Sequence, residues 1–274
     1  MNAGRWTLLF FALRLLAAQV TGPGYPAYEK ANALFVEKKI PEAQAAVDEA
    51  LRLDPKLVPA LTLNAKLAMA EQRFDVAQEC LARALAIDPR ASYAQFLYGL
   101  AAYMGNDLAT ALPRFTEAHR MSPRDPRTAL YLGLTRESLG QPEAALSLYE
   151  EAVRLERAAG QAHADTLLPG IRLLLTMGRL DDCGRWIAQG LEANPKSRDL
   201  HFEMARLLLK RGEAARAAAE GETALALSDG AVEDSAVHYL LVRAYRQCGM
   251  TDRAEMHAEV MRAQEATAND KPKR

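Results

Sequence analysis

A skeleton of small residues returns every thirty-four residues along this chain. Between Asp75 and Pro89 it consists of Ala77 and Ala84, followed by the closing pair Asp88-Pro89. The same positions are Ala43, Ala50 and Asp54-Pro55 one period upstream, and Ala111, Ala118 and Ser122-Pro123 one period downstream. A fixed period of this size is typical of a stacked array of small units and argues against a single globular core.

The skeleton also predicts the local structure of each unit. Alanines seven residues apart lie on one face of a helix, two turns from each other. A small side chain at both positions lets a neighbouring helix approach closely. The closing proline ends the helix, because the residue before proline is pushed out of the α region. We therefore expect helices whose alanine face packs against a partner helix.

Composition favours an all-α protein. Half of the 274 residues are apolar, only 7% are aromatic, and the abundant residues are helix formers. No run alternates apolar and polar residues with β-branched enrichment, so we expect no sheet. The formal net charge of −1 gives no global reason to expect nucleic acid or an anionic membrane as partner.

Catalytic and metal-binding patterns are absent from the sequence. The five histidines lack a spacing such as HExxH, and there is no Walker loop, GxSxG or dinucleotide fingerprint. The three cysteines are Cys80, Cys183 and Cys248, an odd number without a CxxC pair. We expect buried thiols, with metal or redox chemistry as the alternative. The sequence predicts a protein that is not an enzyme and has no cofactor.

Residues 1–22 have the outline of a secretory signal, with Arg5 before the apolar run Trp6–Leu13. Arg14 interrupts the apolar stretch, and there is no clean A-x-A cleavage site. The interpretation that we favour is a periplasmic or secreted bacterial protein that contacts a membrane only through this segment. The alternative is an amphipathic or disordered N-terminal helix on a cytoplasmic protein.

The period divides the rest of the chain into two-helix units. We place their bounds at 24–57, 58–91, 92–125, 126–159, 164–197, 198–231 and 235–268. Residues 160–163 and 232–234 interrupt the register as short insertions. Residues 269–274 form a polar tail, expected to be disordered.

These units resemble the tetratricopeptide repeat over residues 24–268. Its small eighth position is matched by Ala31, Ala65, Gly99, Gly133 and Ala205, and its turn glycine by Gly140, Gly178, Gly212 and Gly249. The first three units depart from the pattern with Lys38, Gln72 and Asn106 in place of that glycine. Gly221 stands where an apolar residue is usual, so we expect looser packing of the second helix of the sixth unit.

The resemblance implies an all-α, right-handed superhelical solenoid of antiparallel helix pairs. In that family the first helix of each pair lines a concave face, and its inward positions contact the partner. Carried over by position, the C-terminal inward residues are Arg172, Arg206, Arg243 and Arg246, beside Phe202 and Tyr239. Stacked arginines could capture the carboxylates of an acidic peptide. The alternative is that they are solvated or paired with Asp165, Asp199 and Glu203.

The N-terminal inward positions are aromatic. They include Tyr28, Tyr93, Phe96 and Tyr103. A peptide pocket and ordinary packing between helices are both open interpretations of these side chains.

We therefore expect a scaffold or adaptor that binds a peptide or a partner subunit on its concave face. One alternative is a regulatory or targeting subunit of a separately encoded envelope enzyme. Another is an RNA-binding helical array, against which the balanced charge argues.

Overall fold

The computed structural model describes residues 22–160 and 164–269, and all regular structure within these ranges is α-helical. The predicted signal segment, apart from Gly22, and residues 270–274 of the predicted tail lie outside the described residues. So do residues 161–163 of the first insertion. No helix in the described part of the chain is both long and apolar enough to span a bilayer.

The described residues form fourteen helices, which follow one another with short connections. In chain order they are α1 Tyr25–Val36, α2 Ile40–Leu53, α3 Val58–Ala70, α4 Phe74–Ile87, α5 Ser92–Met104, α6 Leu108–Met121, α7 Pro126–Ser138, α8 Pro142–Ala158, α9 Ala164–Thr176, α10 Leu180–Ala193, α11 Arg198–Lys210, α12 Ala214–Ala226, α13 Asp234–Gln247 and α14 Thr251–Asn269. They form two compact units, α1–α7 up to Leu139 and α8–α14 from Gly140 onwards. The predicted all-α solenoid of helix pairs is confirmed.

Each unit contains two layers of helices. Consecutive helices pack against each other, and the first helices of successive pairs also touch: α1, α3, α5 and α7 in the first unit, and α9, α11 and α13 in the second. We call this set the first-helix layer of each unit.

The small residues of the thirty-four-residue skeleton form the contact between the layers. Ten of its alanines have no exposed surface: Ala43, Ala50, Ala77, Ala84, Ala111, Ala118, Ala145, Ala152, Ala217 and Ala224. Cys183 and Gly190 take the same positions in α10 and are also buried. The periodic pattern therefore identified the surface on which the helices approach each other most closely.

The turns within the pairs share one backbone conformation whether or not they contain glycine. Gly140, Gly178, Gly212 and Gly249 have φ between 72° and 77°. Lys38, Gln72 and Asn106 adopt φ of 59°, 59° and 60° at the equivalent position. In the second turn, Gln72 N–H donates to Met69 and Arg73 N–H donates to Ala68, at 3.0 and 2.8 Å. This is the Schellman arrangement, which normally selects glycine at the left-handed residue.

Two details differ from the sequence-based expectation. Helix α14 continues to Asn269, into the predicted tail. Gly221 does not loosen α12, because a Cβ atom there would lie 2.8 Å from Cδ2 of Leu241. The leucines of α13 fill the space that the missing side chain leaves.

Candidate functional site

A groove in the second unit has a volume of about 580 Å³ and is open to solvent. Its walls come from α9, α11, α13 and α14. The lining residues are Leu175, Phe202, Arg206, Leu209, Lys210, Ser235, Ala236, Tyr239, Leu240, Arg243 and Met261. We call it the C-terminal groove. Four of the predicted site residues, Phe202, Arg206, Tyr239 and Arg243, line it together.

Helical spacing explains this convergence. Phe202, Arg206 and Leu209 recur at intervals of four and three residues, so they lie on one face of α11. Tyr239 and Arg243 are one turn apart on the facing surface of α13. Met261 lines the groove from α14, which is the second helix of its pair, whereas the other lining residues come from first helices.

The predicted site arginines Arg172, Arg206, Arg243 and Arg246 form what we call the arginine column. Two of them pair with a buried carboxylate, Glu203, which has no exposed surface. Its Oε1 accepts a hydrogen bond from Nε of Arg172 at 2.8 Å, and its Oε2 accepts one from Nη1 of Arg206 at 2.7 Å. A buried carboxylate needs such partners, because loss of hydration strongly disfavours an unpaired charge. Arg172 and Arg206 therefore follow the alternative interpretation, in which the arginines pair with carboxylates of the protein itself.

The other two arginines of the column are arranged differently. Arg243 is exposed and forms no hydrogen bond or ion pair with the side chains that the structure describes. Arg246 is also exposed and lies outside the C-terminal groove, in a neighbouring depression of about 310 Å³ beside Glu255 and Arg262. The four arginines therefore do not form one uniform surface.

The aromatic residues of the C-terminal groove are accessible. Tyr239 is 57% exposed, although it lies on a helix with a mostly buried inner face. Phe202 is half-buried, and the Arg206 guanidinium carbon lies 6.0 Å from the centre of its ring. Aromatic and arginine side chains in one open pocket are the combination that most often anchors protein partners.

The first unit has a smaller groove of about 280 Å³ in its own first-helix layer. Tyr28 and Tyr93 line it, together with Asn32, Thr62 and Lys66. Lys66 places its ammonium nitrogen 4.4 Å from the centre of the Phe35 ring, and burial lowers the pKa of this lysine. Two of the four aromatic residues predicted as an N-terminal site thus face an open groove.

The other two belong to an aromatic cluster between helices. Phe96 is only 6% exposed, and its ring centre lies 5.8 Å from that of Phe115 and 5.5 Å from that of Tyr131. The ring centres of Tyr103 and Tyr131 are 6.4 Å apart. For Phe96 the structure supports the packing alternative. Tyr131, which joins these rings, was not among the predicted residues.

A buried polar cluster in α12–α14 was also not anticipated. Nδ1 of His238 lies 2.9 Å from Nδ1 of His257, and Nε2 of His257 lies 3.2 Å from Oε1 of Glu222. The hydroxyl of Tyr245 donates to the same oxygen at 2.8 Å. Burial lowers the pKa of His238, and the neighbouring imidazole of His257 lowers it further. The two histidines are nineteen residues apart and follow no known motif, so the sequence offered no signal for the contact.

Two of the three cysteines are buried thiols. Cys80 and Cys183 are buried, and burial raises the pKa of Cys183 to about 11, which keeps its thiol protonated at neutral pH. Within residues 22–160 and 164–269, no three His, Cys, Asp or Glu side chains are grouped so that they could hold a metal ion.

Comparisons with known proteins agree with the geometry. A model of the tetratricopeptide repeat family matches residues 62–126, 106–163 and 171–232, which together exceed half of the chain. Among curated proteins no sequence matches.

Solved structures resemble the chain in fold. A tetratricopeptide repeat protein from Parabacteroides merdae aligns with a TM-score of 0.67 at 15% identity, over 88% of this chain and 92% of its own. YrrB, described as having an unusual peptide-binding site, aligns with a TM-score of 0.51 at 18% identity, over 62% and 86%. Yeast Tom70 aligns with a TM-score of 0.56 at 18% identity, over 84% and 45%. At these identities the likeness concerns the fold alone.

Proposed function

Because the chain belongs to the tetratricopeptide repeat family, we propose that it is a protein-interaction scaffold whose C-terminal groove binds a segment of a partner protein. The chain acts by binding, and catalysis belongs to other proteins. The first-helix layer supports this role, since it holds side chains from α9, α11 and α13 on a rigid helical framework.

One observation carries the proposal: an exposed aromatic side chain and an exposed, unpaired guanidinium lie one turn apart in the same open groove. Tyr239 is 57% exposed, and Arg243 has no partner among the described side chains. Tyr239 shares this groove with Phe202 and apolar residues such as Leu209, and a contiguous exposed apolar patch marks an interaction site. Tyr and Arg also contribute most often to the binding energy of protein interfaces.

The same groove suits the narrower role of a regulatory or targeting subunit for a separately encoded envelope enzyme. We propose a periplasmic or secreted setting on the basis of residues 1–22. Mass spectrometry of the mature N-terminus tests that setting, and an intact Met1 in a cytoplasmic fraction contradicts it.

Affinity capture with matched variants tests the binding role. Tyr239→Ala and Arg243→Glu change the C-terminal groove, whereas Arg185→Glu changes an exposed arginine of α10 that does not line it. We expect the first two variants to lose the same captured proteins and the third to retain them. Equal capture by all three contradicts the proposal, and RNA retention that falls with salt favours the RNA-binding alternative.

A further inference from the structure

A depression of about 310 Å³ lies on the last described helix pair, α13 and α14. We call it the end depression. It borders the C-terminal groove and shares Tyr239 and Met261 with it. Its other lining residues are Val242, Arg246, Glu255, Ala258 and Arg262. These five do not line the C-terminal groove, so changes to them distinguish the two surfaces.

One pair earlier, the equivalent surface is occupied by a helix. Each residue that lines the end depression stands thirty-seven residues after a residue of α11 or α12, which is one period plus the insertion 232–234. In α12 the equivalent residues are Ala218, Gly221, Ala224 and Leu225. All four pack against the leucines of α13 or belong to the apolar cluster that contains them. The end depression is therefore the place that a following first helix would take.

Helix α13 shows what kind of element fits such a place. Its residues Val237, Leu241 and Ala244 are buried in the same cluster, at intervals of four and three residues. This spacing forms one apolar stripe along a helix. An occupant of the end depression should therefore be an amphipathic helix with apolar residues at the same intervals.

The end depression has an apolar inner wall and a charged rim. Val242 is only 7% exposed, and Met261 is half-buried. On the rim, Glu255 accepts a hydrogen bond from Arg262, whereas Arg246 is exposed and has no partner among the described side chains. Two guanidiniums and one carboxylate leave the rim with a net positive charge. A helix with acidic residues beside its apolar stripe complements both the wall and the rim.

We propose that the end depression is a second interaction surface, which takes an amphipathic helix of a partner protein with acidic residues beside its apolar stripe. The partner helix stacks on α13 and α14 in the way that α13 stacks on α11 and α12. Apolar contact supplies the affinity, and the positive rim favours acidic over basic helices. This surface goes beyond the proposed function, which concerns the C-terminal groove.

Fluorescence anisotropy with labelled helical peptides tests this inference. The probes copy α13, Asp234–Gln247, and carry a staple opposite the apolar stripe that holds them helical. The acidic probe carries Arg243→Glu and Arg246→Glu, two positions that are exposed in α13, and the basic probe keeps both arginines. We expect the wild-type protein to bind the acidic probe roughly tenfold more tightly, as for one charge-assisted contact. Adding Leu241→Ser to the acidic probe should abolish its binding.

Ala258→Arg in the protein supplies the second arm, because the longer side chain fills the end depression without lining the C-terminal groove. We expect a roughly tenfold or larger loss of affinity for the acidic probe. Ala188→Arg, on the exposed surface of α10, is the matched control and should bind like wild type. Arg246→Glu should remove the preference for the acidic probe. This third variant leaves α14 unchanged, so the inference stays testable if Ala258→Arg misfolds.

Three results overturn the inference. They are no binding of the acidic probe to wild type, equal binding by Ala258→Arg, and self-association of wild type that Ala258→Arg abolishes, which would assign the surface to a second copy of the chain. Sedimentation velocity measures the last of these. Capture of a partner that depends on Tyr239 and Arg243 but survives Ala258→Arg would still support the proposed function, so the two proposals fail separately.

Discussion

The Nδ1 atoms of His238 and His257 lie 2.9 Å apart in the buried contact between α13 and α14. At this distance one nitrogen must carry a proton and the other must accept it. Nε2 of His257 faces the Glu222 carboxylate at 3.2 Å, so the tautomer with a proton on Nε2 suits neutral His257. In that arrangement Nδ1 of His238 is the donor.

A second proton places two imidazolium N–H groups against each other. His257 is bordered by the carboxylate of Glu222 and by the ring of Tyr245, whose hydroxyl accepts from Arg253 at 3.3 Å. His238 is influenced by the nearby Asp234, which favours its charged form, and by Arg198, which opposes it. Burial and His257 outweigh the acidic neighbours, and the pKa of His238 is lowered.

We predict that the second unit loses thermal stability as the pH falls below about 6.5. A histidine whose pKa is lower in the folded than in the unfolded protein stabilises the fold at pH values above its unfolded pKa, near 6.5. This stabilisation is lost as the pH falls, because the unfolded chain takes up the proton more readily. The slope is at most about 1.4 kcal/mol per pH unit for each proton. Melting curves of wild type and His257→Gln between about pH 8 and pH 5 measure it.

The variant should lose part of the pH dependence. His119→Gln, in the first unit, is the control, because it leaves the histidine pair of the second unit unchanged. A wild-type midpoint that stays constant down to pH 5 contradicts the assignment of the histidine pair.

Gln72→Gly should raise the melting midpoint. The left-handed conformation at φ 59° costs a residue with a side chain about 1 kcal/mol or more, which glycine avoids apart from its larger backbone entropy. We expect a net gain of roughly 0.5–1 kcal/mol. Asn106→Gly should gain less, because asparagine tolerates this region.

Glu79→Gly checks that glycine has no general stabilising effect. This residue is exposed in the interior of α4, and the change should destabilise by about 1 kcal/mol. A lower melting midpoint for Gln72→Gly than for wild type would show that Gln72 does not strain the backbone of this turn.

Gly99→Ala should destabilise the first unit by roughly 1–3 kcal/mol. A Cβ atom at this position would lie 2.7 Å from Cδ1 of Phe115, which is fully buried and has little room to move. Combining the change with Phe115→Leu should recover part of the loss. Gly140→Ala meets nothing within 4 Å and should show only the backbone strain of its φ of 73°, so an equal loss in both variants argues against the steric explanation.

Asp199→Ala should release the connection between α12 and α13. Its carboxylate accepts from the backbone N–H of Ala231 at 3.0 Å and of Val232 at 2.8 Å, and it is buried. Loss of these charged hydrogen bonds should cost roughly 1.5–3 kcal/mol and expose residues 227–233 to limited proteolysis. Asp181→Ala removes an exposed ion pair with Arg211 and should cost under about 1 kcal/mol. Unchanged cleavage of Asp199→Ala contradicts the anchoring role.

The parts of the structure that depend on residues close together in the sequence were predictable. Ala77 and Ala84 are buried because any helix that repeats small residues at this spacing presents them to one partner. The positions of the turns were also predictable. The sequence showed Lys38 and Gln72 in place of the usual turn glycine, but it did not show that these residues adopt the left-handed conformation. The thirty-four-residue period does not predict the boundary between the two units after Leu139, because that boundary depends on packing between helices.

The candidate site was predictable only in part. Helical position correctly brought Phe202, Tyr239 and Arg243 to one groove. The pairing of Arg172 with Glu203 spans thirty-one residues, and the sequence left it open beside a ligand-binding role. Long side chains at the same helical position can point to solvent or to a neighbour, and the choice depends on which carboxylates are buried.

Site-specific photo-crosslinking tests the binding role of the C-terminal groove most directly. Benzoylphenylalanine replaces Tyr239 in the groove, or Ala188, an exposed residue of α10 that does not line it, in full-length protein expressed in cells. We expect a discrete crosslinked partner from position 239 that disappears when Arg243→Glu is added, and none of it from position 188. The same adduct from both positions, or no adduct from position 239, would contradict the account.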